Sequence, residues 1–141
     1  MPFLFVDQAE ERIARYITNQ SPPAASKLTL KLFKNQFTPS DAGDETDIVE
    51  ADFTGYPAGG IDLTGLWTIT PDAPTLLQYA EQEFTSSADQ TAQLVWGYVI
   101  VGTDDDFLWA IWQFTTPCSV SKNGDKIKVT PKLNIKKPSE V

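Results

Sequence analysis

The sequence predicts a mainly β fold, an antiparallel β-sandwich or jelly-roll/barrel of about eight strands with one short N-terminal helix. Three observations lead there. Beyond Pro22-Pro23, apolar residues recur largely with period two. Clusters of Gly, Pro, Asn and Asp interrupt them at short intervals. A helical period occurs once, at the start of the chain. The 141 residues fit a single globular unit, an arm and helix over 1–22 followed by a β domain over 23–141. A hydrophobic fraction of 41% is enough for one real core without covalent staples.

In the helical segment, Val6, Ala9, Ile13, Tyr16 and Ile17 fall on one face, with Gln8, Glu10, Glu11, Arg12 and Arg15 on the other. Asp7 caps the start, Glu10 and Glu11 suit the first turn, and Ser21-Pro22-Pro23 ends it. Leu28, Leu30 and Leu32 alternate with Thr29 and Lys31, the pattern of a half-buried strand. A polar loop covers Asn35 to Asp47. Strands are then expected at Val49–Phe53, Gly65–Thr70, Leu76–Thr85, Gln93–Val101, Phe107–Phe114 and Lys126–Ile135. Tyr56-Pro57-Ala58-Gly59-Gly60 reads as a loop and Pro71-Asp72-Ala73-Pro74 as a turn. Gly102-Thr103-Asp104-Asp105-Asp106 reads as a hairpin connection. Asn123-Gly124 is the strongest hairpin signal, joining Ser119–Lys122 to Asp125–Thr130. Trp96, Tyr98, Ile100, Leu108, Ala110 and Trp112 alternate on two neighbouring strands, and Trp109 and Ile111 fall on the reverse face. Both faces of that hairpin are bulky and apolar, so it either runs through the centre of the fold or is covered by a partner chain.

Charge and residue usage exclude much chemistry. The net charge of −8 opposes phosphate backbones, so nucleic acid is not an expected partner. Six of the eleven Lys and Arg lie between Lys122 and Lys137, while Asp41 to Asp106 contains none. The acidic body with a basic end suits oppositely charged neighbours, or is simply a soluble surface. The chain has no His, which removes His-based acid–base catalysis, Ser-His-Asp and Cys-His arrangements and most zinc sites. Cys118 is single, so no intrachain disulfide exists, and its plain reading is a small buried apolar residue. The opening apolar run, Phe3 to Val6, is too short for a signal-peptide core, and no run is long enough to span a bilayer. The expectation is a protein made in a reducing cytoplasm, with no membrane partner and no cofactor.

Candidate sites are sparse. Asp41, Asp44, Glu45 and Asp47 faintly resemble a calcium loop but lack the EF-hand order, and a solvated loop is the plainer reading. Asp104, Asp105 and Asp106 are adjacent turn residues that point apart. Glu81 and Glu83 could be paired acids on one strand face, with nothing else to support glycoside hydrolysis. Tyr56, Trp67, Tyr79, Trp96, Trp109 and Trp112 could stack on sugars, though strand aromatics more often pack in a core or interface. Gly59-Gly60 is a turn, not a phosphate loop. No enzyme is expected. The strip Phe3, Leu4, Phe5 and Val6 is more apolar than a helix start requires, so it packs on a neighbouring subunit or folds back on its own core. Together with Lys132, Lys136 and Lys137 it forms the expected partner interface.

One succession of motifs carries a resemblance. Leu28-Thr29-Leu30-Lys31-Leu32-Phe33-Lys34-Asn35 runs into Thr38-Pro39-Ser40-Asp41, and Glu50-Ala51-Asp52-Phe53-Thr54-Gly55-Tyr56 follows. Leu63-Thr64-Gly65, Trp67-Thr68-Ile69-Thr70-Pro71, Tyr79, Phe84-Thr85-Ser86-Ser87-Ala88, Gly97-Tyr98, Leu108-Trp109-Ala110 and Asn123-Gly124-Asp125 come in order. This pattern, from Leu28 to Val129, resembles small structural proteins of tailed bacteriophages and prophages. The resemblance implies a virion component, in the first place a capsid cement (decoration) protein. Such a protein sits as a homotrimer on the capsid surface, with the major capsid protein as its partner. The acidic Asp41–Asp47 loop and the tail after Ile135 depart from the group, so its contacts do not transfer. Two other functions fit the residues: a tail, baseplate or receptor-binding component of the virion, and a carbohydrate-binding module.

Overall fold

The computed structural model describes residues 3–5, 13–14, 17–18, 27–39, 45–70, 75–103 and 108–135. About half of these lie in strands, all paired antiparallel, so the fold is mainly β as expected. In chain order the strands are β1 (Phe3–Phe5), β2 (Leu28–Phe33), β3 (Ile61–Asp62), β4 (Trp67–Thr70), β5 (Thr75–Tyr79), β6 (Gln82–Thr85), β7 (Gln93–Gly102), β8 (Leu108–Val120), β9 (Lys126–Val129) and β10 (Lys132–Ile135). They form a five-stranded sheet in the order β1-β8-β7-β2-β3, a three-stranded sheet β10-β5-β4 and a two-stranded sheet β6-β9.

The long β7–β8 hairpin occupies the centre of the five-stranded sheet, which resolves the two-faced apolar pattern in favour of a central position. Val99, Ile100, Val101, Leu108, Ala110 and Ile111 are all buried. Two irregularities shift its phase. Ile100 faces Ala110 but Val101 faces Leu108, so Trp109 is the extra residue of a bulge. Leu108 therefore shares a face with Val101 and Ile111, not with Ala110 and Trp112 as simple alternation suggests. Further on, Val95 faces Cys118 and Gly97 faces Gln113, which leaves Phe114 to Pro117 opposite Trp96 alone. Pro117 has no N–H to donate, and a bulge is where that omission costs the ladder nothing.

β2 is buried on both faces, not half-buried: Leu30 and Leu32 are enclosed on one face, Thr29 and Phe33 on the other. Three other expectations change. Val49–Phe53 is not a strand; only Glu50 forms a bridge, to Phe33. Two backbone bonds flank that bridge, Lys34 amide to Val49 carbonyl at 2.9 Å and Ala51 amide to Leu32 carbonyl at 2.8 Å. Asn35 ends the pairing: its Oδ1 accepts from the Val49 amide and its Nδ2 donates to the Asp47 carbonyl, both at 2.8 Å. The single strand expected over Leu76–Thr85 divides at Ala80-Glu81 into β5 and β6, which join different sheets. Lys126–Ile135 likewise divides at Thr130-Pro131.

The Asn123-Gly124 turn forms, with Gly124 at φ +91°, a region where only glycine is unstrained. It does not make a hairpin, because β8 pairs with β7 and β1 while β9 pairs with β6. The turn docks on the segment after β6: the Ser86 amide donates to the Asp125 carbonyl, and Gly124 donates to Ser86, at 2.8 and 2.9 Å. Asp125 Oδ2 accepts from the amides of Ser121 and Lys122, both at 2.9 Å. Those bonds hold its carboxyl below the ordinary 3.8. A lowered folded-state value means that its contribution is present above the unfolded value. It is lost as pH falls from 3.8 through the folded value. Asp125→Asn is expected to flatten that part of the acid dependence, read as urea midpoints taken through roughly pH 5 to 2.

No α-helix is delimited among the described residues. Of the helix expected from Val6 to Ile17, only Ile13, Ala14 and Ile17 are described, with Thr18 just beyond it. These four carry helical backbone, and the Thr18 hydroxyl donates to the Ala14 carbonyl at 2.8 Å. Ile13 packs against the core, but Ile17 is 79% exposed, so it does not share the buried face that periodicity gave it. No helix among the described residues is long and apolar enough to cross a membrane.

Candidate partner-binding surface

Two surfaces stand out. The first is β4 with the residues leading into it. No residue from Leu63 to Thr70 is charged. Among the described residues β4 pairs only with β5, so its other edge carries unpaired ladder groups. Trp67 anchors the strand: its ring meets Tyr79 edge-on at 5.1 Å, and its Nε1 donates to the Leu63 carbonyl at 2.9 Å. Leu66 and Ile69 are left outward, 58% and 63% exposed. Such edges are normally blunted by charge or proline, and this one is not.

The second is a cleft where the five-stranded sheet meets β9 and β10. Tyr98 and Trp112 are direct cross-strand partners on β7 and β8, which stacks their rings at 6.1 Å and 6°. Phe114 continues that face, its ring 6.5 Å from Tyr98. Lys128, Thr130 and Lys132 line the opposite side, and the cleft encloses about 170 Å³. Tyr98 is buried, which pushes its phenol up to about 12 against the hydrogen bond from the Lys132 backbone. It is a neutral wall at any ordinary pH.

Of the residues expected at a partner interface, Lys132 lies in this cleft. The backbone of Phe3, Leu4 and Phe5 is built into its own sheet as β1, opposite Trp112, Ile111 and Ala110. Val6, Lys136 and Lys137 lie outside the described residues, as do Asp41, Asp44 and the Asp104–Asp106 run. The structure thus brings Lys132 together with Tyr98, Trp112, Phe114 and Lys128. Phe114 and Lys128 are not among the residues the sequence singles out, Tyr98 reads there as hairpin packing, and Trp112 reads both as hairpin packing and as a sugar-stacking candidate. The usable signal was Trp112 and Phe114 two apart on one strand, opposite Tyr98.

The remaining candidates disperse. Glu83 is bridged to Lys126 at 3.0 Å, which holds its carboxyl low, while Glu81 sits in the break between β5 and β6. Tyr79 is buried, and Tyr56 stacks on Phe84 at 5.5 Å, so the six aromatics do not make one open platform. Burial raises the Cys118 thiol, the opposite of what activates a nucleophile. No group of three or more acidic or cysteine side chains is placed to hold a metal ion among the described residues. The arrangement suits recognition by shape and charge. No family model matches the chain, and no curated protein matches it.

Proposed function

We propose that this chain is a structural protein of a bacteriophage virion, a cement or decoration protein that binds the major capsid lattice as a homotrimer and reinforces it. The observation that carries this reading is the uncharged, outward-facing β4 edge with Leu66 and Ile69. On a molecule of net charge −8, such an edge suits burial against protein. The phage-like succession of motifs from Leu28 to Val129 supplies the kind of partner. A lattice offers many equivalent sites, so each contact can be weak while attachment as a whole is strong. For the finer architecture we assign a barrel-like arrangement. It is supported by β1 lying against β10, which sets the five- and three-stranded sheets end to end in the order β3-β2-β7-β8-β1-β10-β5-β4.

The test is the copy number in purified particles, by quantitative mass spectrometry against the major capsid protein. Copy numbers comparable with that protein are expected. A handful per particle would overturn the cement role in favour of a tail or vertex position, and absence would overturn the virion reading. Ile69→Lys is expected to reduce occupancy without lowering the melting temperature of the free protein, since the side chain it replaces is exposed.

A further inference from the structure

The cleft between the central hairpin and the β9–β10 segment combines lysines with aromatic rings. From Asn35 to Ser121 the chain has no lysine or arginine, yet two lysines stand together here beside three aromatic rings. Neither Lys128 nor Lys132 makes an ion pair within 4 Å with a described residue. Glu83, directly across from Lys128, is bridged to Lys126 at 3.0 Å and feels the Lys128 charge only as a weaker, more distant influence. We infer that this cleft binds an acidic, extended segment of a partner protein. One large apolar side chain of that segment seats against Trp112 and Phe114, and flanking carboxylates meet Lys128 and Lys132.

Size and shape carry the first half of this. The cleft's volume of about 170 Å³ is close to that of an apolar cavity that holds one benzene ring, so it takes one aromatic or large aliphatic side chain. The walls come from β7, β8 and the β9–β10 segment, and Tyr98 is fixed by its stacking, so the recess is preformed. Among the described residues β1 pairs with β8 from Ala110 to Trp112, and the cleft lies beyond that, lined by Phe114 and the β9–β10 segment. An extended chain is the shape that fits along such an edge.

Charge and chemistry select the occupant. A neutral sugar would need fixed amides or carboxylates to take its paired hydroxyls, and none lines the cleft. The chain's own residues after Ile135 bring two lysines and one glutamate, the wrong sign for this site. In a second copy Asp41–Asp47 has no apolar side chain larger than alanine, whereas Asp104-Asp105-Asp106-Phe107 has one, and self-association is the outcome that reads that case. An acidic segment with one large apolar residue satisfies both walls. This rests on the reading that the chain binds protein surfaces, and not on which particle it serves.

The test titrates the full chain with a blocked heptapeptide that has a central phenylalanine flanked by glutamates, and with its glutamine counterpart. Calorimetry gives affinity, and the indole N–H resonances give location. The glutamate peptide is expected to bind more tightly, to move the Trp112 resonance and to weaken as salt is raised. Lys128→Gln with Lys132→Gln is expected to lower its affinity about three- to tenfold, as two exposed charge pairs would, with an unchanged circular dichroism spectrum. Equal affinity for both peptides, no binding, or a shift confined to the other tryptophans would overturn the inference. So would self-association that the double variant abolishes, since that assigns the cleft to a second copy. Lysine-dependent peptide binding by a chain absent from particles would sink the virion reading alone. Normal particle occupancy without peptide binding would sink the cleft alone.

Discussion

Gly97→Ala is expected to lower the urea midpoint sharply, with a loss of about 3 kcal/mol, the upper end of what overpacking costs. Gly97 lies in β7 between two paired strands, opposite Phe33 on one side and Gln113 on the other. A Cβ there would be driven into the Trp112 carbonyl oxygen and would stand 2.6 and 2.8 Å from the Phe33 ring. Carbon atoms prefer roughly 3.5–4.0 Å. Phe33 is fully buried and has nowhere to swing, and the carbonyl belongs to the ladder itself. Adding Phe33→Leu frees the ring but not the carbonyl, so it is expected to restore little. An unchanged midpoint for Gly97→Ala would show that β7 and β8 do not approach as closely as their register requires.

Phe84→Ala is expected to cost about 3–5 kcal/mol, the range for emptying a buried phenylalanine site. Phe84 is one of the buried side chains, with Ile127 and Val129, by which β6 and β9 join the core. It is 1% exposed and stacks on Tyr56 at 5.5 Å and 10°, and Tyr56 in turn meets Phe53 edge-on. The Tyr56 hydroxyl donates to Glu50 at 3.0 Å and accepts from the Leu32 amide at 3.2 Å, which ties the ring stack to β2. Its burial drives the phenol well above its ordinary value, as a neutral hydroxyl in that position demands. Phe84→Leu keeps part of the contact and is expected to recover part of the loss. A chemical-denaturation midpoint that barely moves on Phe84→Ala would mean that the β6–β9 sheet is only loosely attached.

Where local pattern and pairing coincide, the fold was readable. The β7–β8 hairpin follows from period two on both sides of a Gly-Thr-Asp turn, since its strands pair with each other. The Asn123-Gly124 turn was equally readable, but its strands pair elsewhere, and no local signal says that β9 will choose β6. Leu76–Thr85 reads as one strand because Ala80-Glu81 contains neither Gly nor Pro. The break is imposed by two sheets competing for the two halves. Pro131 marks the division between β9 and β10, since a proline cannot donate to a ladder, although the period-two alternation continues across it. Val49–Phe53 has strand composition, but its pairing with β2 stops at the Glu50–Phe33 bridge, and the Val49 amide goes to the Asn35 side chain. The cleft was legible only in Lys132, chosen for its charge. Its aromatic wall lies roughly twenty to thirty-five residues back along the chain, and topology alone brings the two together.

The neighbour relations of β1 also set the timing of folding. β1 docks on β8, more than a hundred residues later, and β2 finds its partner in β7. Both early strands therefore keep open edges until β7 and β8 are in place, and the five-stranded sheet closes late. Loop closure over such distances is slow, so the folding rate is expected to be set by the search for β7 and β8.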